Sequence, residues 1–186
     1  MKIDTIFVPG DSEDGIWSIQ LDGETKTEYE RFFDLMEDIE SLRDFFKRNV
    51  ADLQSRFFGV VSFECAIKRT LSEANEIQDA LIRYSEYGFR RSGANLQYLF
   101  RPLNNFEFAI VSHQKSKARL GHGWIRLYAI RIAENCFVMT GGAIKLSRNM
   151  NRPHLQRELN KLDITRRFLI DNGIHYPEDL NYYENH

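Results

Sequence analysis

The chain has 186 residues and 42% hydrophobic side chains, which suits one folded domain and excludes global disorder. No apolar run approaches the roughly 20 residues of a membrane span, and Met1–Asp14 is acidic without a secretory core, so a cytoplasmic protein is expected. Two cysteines, Cys65 and Cys136, fit neither a disulfide framework nor a four-ligand zinc cage and are expected to be small buried hydrophobes.

The formal net charge of −2 hides an asymmetry. Residues 1–87 carry 19 Asp and Glu against 10 Lys and Arg, whereas residues 88–170 carry 4 against 15, a net of +11. Residues 171–186 add four acids and no base. Such a division points to a polyanion as partner of the basic segment, or to acidic cover within the fold.

In chain order, residues 3–8 and 16–21 read as short strands joined by the turn-rich Pro9–Gly15, a β-hairpin. From Thr27 the period becomes helical. Thr27 and Glu30 have capping-box spacing, and Phe32, Leu35, Met36, Ile39, Leu42 and Phe46 form one stripe, which predicts a single amphipathic helix over 27–48. Its other face carries Glu37, Asp38, Glu40 and Asp44. Ser62 caps a second helix over 63–87, stopped by Gly88, with Ile67, Leu71, Ala74, Ile77 and Leu81 inward. Extended patterns follow at Phe106–Val111, Trp124–Ile132 and Phe137–Lys145, the last two an antiparallel pair joined tightly at Asn135. Ser112–Gly123 reads as a polar loop holding Lys115, Lys117 and Arg119. Pro153 opens a final helix whose Leu155, Leu159, Leu162 and Leu169 share a stripe ending at Asn172-Gly173.

Familiar catalytic motifs are absent. There is no phosphate loop, dinucleotide fingerprint, His-Glu-x-x-His or Gly-x-Ser-x-Gly, and the five histidines are scattered. Gly141-Gly142 reads as a strand bulge or close backbone approach, since no helix opens after it. What remains is a group of cations on a small sheet. Arg126 and Arg131 lie five apart on one strand and so fall on opposite faces of an ideal pleat. Lys145 ends the next strand and Arg148 follows it. Ile125, Leu127 and Ala129 alternate with Arg126, Tyr128 and Ile130, which predicts one face on helices and Arg126 on a more open face beside Lys145. Cations so placed can stabilise the added charge of a pentacovalent phosphate, and a lysine of lowered pKa can also move a proton.

Leu99-Phe100-Arg101-Pro102-Leu103, the strand Trp124–Ile132, the strand ending Gly-Gly-Ala-Ile-Lys145 and the Leu-rich closing helix together resemble the RelE/HigB superfamily of bacterial type II toxin–antitoxin toxins. The likeness spans residues 96–169 and is greatest to the phage-related HigB-like branch. It implies a metal-independent, cofactor-free endoribonuclease acting on mRNA, ribosome-assisted and neutralised by an antitoxin. It matches Arg126 to the arginine that contacts the scissile phosphate, and Lys145 with Arg148 to a second catalytic cationic cluster. Lys115, Lys117, Arg119, Arg131 and His154 are then the expected RNA-binding residues. Two departures stand out. Where some members carry lysines on the preceding strand, this chain has Phe106-Glu107-Phe108, and where the family keeps a late tyrosine, Met150–His154 offers only His154.

The expected architecture is α+β: a small, mainly antiparallel sheet packed with an acidic helical pair (27–87) and a closing helix, with residues 1–24 a hairpin extension and 174–186 an acidic tail. Beside the toxin reading stand a catalytically inert nucleic-acid- or ribosome-binding regulator, a protein-interaction module docking an acidic partner, and a gyrase-poisoning branch of the same superfamily.

Overall fold

The computed structural model describes residues 1–10, 14–55, 58–104 and 111–184. Its strands are β1 (Lys2–Phe7), β2 (Gly15–Gln20), β3 (Phe100–Pro102), β4 (Gln114–Ala118), β5 (Ile125–Ala133) and β6 (Cys136–Ile144). They form one mixed sheet in the order β1-β2-β6-β5-β4-β3. All neighbours are antiparallel except β2 and β6, which run parallel over Gly15–Ser18 and Cys136–Met139. The fold is therefore α+β, and the N-terminal hairpin extends the sheet itself.

Between β2 and β3 lie α1 (Glu28–Glu37), α2 (Ile39–Arg48), α3 (Val50–Leu53), α4 (Phe63–Phe89) and α5 (Leu96–Leu99). The capping box at Thr27 forms, its hydroxyl accepting from Glu30 N and the Glu30 carboxylate accepting from Thr27 N. The single helix expected over 27–48 is instead two. Asp38 closes α1 and, through its carboxylate, accepts from Glu40 N and Ser41 N to open α2, because a short acidic side chain competes for backbone N–H groups. The break turns Leu35 and Ile39 out to solvent while Phe32, Met36, Leu42 and Phe46 stay buried. Helix α4 begins at the Ser62 cap and runs through Gly88, where the Asn135 side chain fills the space a Cβ would need. Cys136 is buried, but Cys65 is exposed on α4, contrary to expectation, since its position falls off the apolar stripe.

Helices α1 to α5 cover one face of the sheet, over Ile125, Leu127, Ala129, Phe137 and Met139. The other face is covered by α6 (Pro153–Asp171) and by α7 (Pro177–Glu184), which forms within the expected tail. Leu155, Leu162 and Leu169 of α6 and Leu180 of α7 pack there against Trp17, Tyr128, Ile130 and Val138. The expected open face is thus roofed along much of its length, because α6 brings its own leucine stripe. Arg152, capping α6, forks onto Asp52 of α3 with two 2.6 Å hydrogen bonds.

The pairing of β5 with β6 skips Thr140, and Gly141 follows at φ 139. A Cβ on Gly141 would meet Glu158 and Lys161, and one on Gly142 would lie 2.7 Å from Phe32. Helices α1 and α6 close on β6 here, past the end of its pairing with β2. Lys161 bridges Glu28 of α1 and Glu158 of α6, 2.9 Å from the latter. Burial and the nearby Glu28 carboxylate push the Glu158 carboxyl up to about 7, against the pull of Lys161.

The polar stretch expected as a loop over 112–123 contains β4, whose alternating burial places Gln114, Ser116 and Ala118 on one side and Lys115 and Lys117 on the other. Polar residues at every second position escaped the apolar-alternation test. The strand expected over 106–111 lies outside the described residues, except for Val111, which is not in a strand.

Candidate nucleic-acid interface

Strand β5 starts on a buried carboxylate. Glu73 of α4 accepts from Trp124 N at 3.1 Å and Ile125 N at 2.7 Å, and the Trp124 indole donates to Thr70 at 3.1 Å. Gly123 precedes them because any Cβ there would overlap Glu73. This clamp fixes the next residue, Arg126, on the α6 side of the sheet. Arg126 is 8% exposed and donates through Nη1 to Gly123 O at 2.8 Å and Ile125 O at 2.7 Å. Among the described residues its Nε and Nη2 have no hydrogen-bond partner, so one edge of the guanidinium fork is uncommitted.

Around Arg126 opens a cleft of about 850 Å³, at the end of the face that α6 leaves uncovered. Six cations line it: Arg101 from β3, Lys117 from β4, Arg119 just after, Arg126 from β5, and Lys145 and Arg148 beyond β6. No carboxylate lines it among the described residues. Pairing of Arg101 with Lys117, and of Lys117 with Tyr128, aligns three strands beneath the cluster. Lys145 is drawn in by its own loop, its ammonium donating to Ser147 O at 2.6 Å and Arg148 O at 2.9 Å. Lys117 donates to Leu103 O at 2.8 Å.

The electrostatics follow from this crowding. Burial lowers the Arg126 pKa to about 10, with Arg119 pushing the same way. Burial also lowers Lys117 and Lys145, reinforced by repulsion from Arg126 and Arg119. Tyr128, buried beside Arg126 with its hydroxyl donating to Met150 Sδ, is raised by desolvation. A cation-only cleft that depresses its own lysines is a site that an anion would stabilise.

No family model matches the chain, and no curated protein or solved structure matches it.

Of the sequence-derived site residues, Arg126, Lys145, Arg148, Lys117 and Arg119 meet in the cleft. Lys115 shares their face but is held in an ion pair by Asp163 of α6. Arg131 lies across the sheet, in a separate groove with Gln97 and Gln114. His154 is in a third hollow between α2 and α6, its Nε2 3.0 Å from Ile144 O and its ring edge-on to Phe45. Neither belongs to the cleft. Tyr98 of α5 and Arg101 of β3 also line it; the sequence offers Arg101 only as part of the Leu99–Leu103 stretch and not as a site residue, because three residues of β3 are too few for a period to show. Glu73 reads as an ordinary acid on a helix until the fold brings β5 onto it.

Proposed function

We propose that the cleft binds the phosphate backbone of RNA and cleaves it, making the chain a RelE/HigB-like, metal-independent endoribonuclease that acts on mRNA at the ribosome, in the cytoplasm, and is held in check by an antitoxin. The observation that carries this reading is the convergence of six cations, without a described carboxylate, on the half-free fork of Arg126. Together with the resemblance over residues 96–169, it supports a ribonuclease over other phosphate-binding chemistries. Lys115 and Lys117 lie on the strand preceding β5, where the resemblance asks for lysines, rather than in a loop.

In this reading the RNA 2′-hydroxyl attacks the adjacent phosphorus, and the 5′-oxygen leaves. Arg126 and Arg119 neutralise the charge that builds on the non-bridging oxygens. Lys117 and Lys145, their pKa values lowered by burial and by each other's neighbours, are placed to take the proton from the 2′-oxygen and return one to the leaving 5′-oxygen. The test is induced expression with a translated mRNA mapped for breaks. Growth arrest with new 5′-hydroxyl ends, lost in Arg126→Lys, supports the reading, whereas harmless expression without new ends opposes it.

One observation favours the inert regulator as a second reading. No histidine or carboxylate lines the cleft among the described residues, so proton transfer falls on lysines that already donate to backbone carbonyls. RNA or ribosome binding that persists while no cleavage occurs would select it.

A further inference from the structure

A second concavity, of about 280 Å³, lies on the opposite face of the sheet at the same edge. The two meet where α5 runs into β3, and Tyr98 of α5 and Arg101 of β3 line both. Tyr98 is 54% exposed, a large aromatic ring left in solvent on the ridge between them. The floor of the groove is Arg131, half-buried near the end of β5. Its guanidinium makes one hydrogen bond among the described residues, Nη2 to Gln97 Oε1 at 3.2 Å, and its buried Nε–H has no partner. No carboxylate lies within ion-pairing distance of it among the described residues. Glu134 acts on it only through space, and a half-buried guanidinium without an ion-pair partner is costly to keep and is relieved by an anion. Gln97 beside it supplies an amide of the kind that pairs with base edges, while Phe100 and Pro102 give the groove an apolar wall.

We propose that this groove is the subsite for a nucleotide flanking the scissile phosphate: a single RNA strand leaves the cleft, passes Arg101, stacks a base on Tyr98 and delivers the next phosphate to Arg131. The inference rests on the RNA reading of the cleft and deepens it. An exposed aromatic next to an arginine track is how single strands are held without a duplex to read. The subsite also gives Arg131 a place on the substrate path although it is on the wrong face for the cleft.

The test is binding of uridine dinucleotide and hexanucleotide RNA to the full chain at low salt, followed by fluorescence anisotropy. The hexanucleotide binds the unmutated protein more tightly than the dinucleotide. Arg131→Gln and Tyr98→Ala each lower hexanucleotide affinity about tenfold and collapse the length dependence, and Tyr98→Phe, which keeps the ring, restores it. Lys145→Ala weakens both lengths together. Tyr98 is on the surface, so its variants carry the test if Arg131→Gln impairs folding. Unchanged hexanucleotide affinity in Arg131→Gln and Tyr98→Ala, with both lengths still weakened by Lys145→Ala, overturns the subsite and leaves the cleft reading standing. Equal affinity of the unmutated protein for the two lengths does the same. Failure to bind either RNA overturns both.

Discussion

At Arg126 a planar, two-pronged cation is clamped by its own strand: Nη1 is spent on the Gly123 and Ile125 carbonyls, and the rest of the fork faces a cleft that no carboxylate lines among the described residues. A lysine in its place keeps the charge but cannot hold those carbonyls and a phosphate together. Arg126→Lys should therefore reduce cleavage by on the order of 10²-fold or more while changing RNA affinity far less, measured as single-turnover rate against equilibrium binding. Lys115 and Lys117 are two residues apart on one face of β4, but Lys117 lines the cleft whereas Lys115 pairs with Asp163 outside it. Lys117→Ala should weaken RNA binding and flatten its salt dependence by about 0.7 in log–log slope, as for one lost phosphate contact, while Lys115→Ala should change neither measurably. Equal effects of the two would contradict the placement of the cleft. The sequence carries the identity of these cations but not their pairing: Asp163 is 48 residues from Lys115 and meets it only because α6 crosses the sheet.

At the scale of elements, the junction of α1, β6 and α6 is closed by glycines and a buried ion network. Gly142→Ala would drive a methyl into Phe32 and should destabilise the protein by about 1–3 kcal/mol in denaturant unfolding, the usual cost of overpacking. Glu158 makes the same junction pH-sensitive. Its folded pKa of about 7 lies above the unfolded value of 4.5, so the folded state binds the extra proton between the two. The stability contributed by this group is then fully present below pH 4.5 and is lost as pH rises through about 7, by roughly 3 kcal/mol in all. Glu158→Gln, which mimics the protonated form, should gain stability relative to the unmutated protein across that window, and parallel stability curves for the two would contradict the assignment. Much at this scale is legible in sequence: the Thr27 and Ser62 caps, the β5–β6 hairpin, and α6 from Pro153 to Asn172-Gly173 all form where local chemistry places them. The break at Asp38 is also local, but the apolar stripe continues through it in sequence and masks it. Strand β4 is invisible to hydrophobic periodicity because its alternation is of lysines against Gln114, Ser116 and Ala118.

Across the whole molecule the charge asymmetry becomes a spatial one. The helices with an acidic excess, α1 and α4, pack with α2 on one face of the sheet, while the cationic cleft opens at the edge of the other. Glu37, Asp38, Glu40 and Asp44 therefore face away from the cleft and do not cover it, and neutralising all four should leave RNA affinity at moderate salt essentially unchanged; a marked gain would reveal an acidic shield. No helix among the described residues is long and apolar enough to cross a membrane. Composition shows that a basic segment exists, but only the sheet order, with β4, β5 and β6 adjacent, gathers cations from positions 101 to 148 into one cleft and sends Arg131 to the other side. The measurement that tests the central claim most directly is cleavage of a translated mRNA by the purified full chain with ribosomes and EDTA, the unmutated protein beside Arg126→Lys. Specific breaks bearing 5′-hydroxyl ends, undiminished by EDTA and reduced on the order of 10²-fold in the variant, are the predicted result. Intact mRNA with the unmutated protein, or breaks equally frequent in Arg126→Lys, would contradict it.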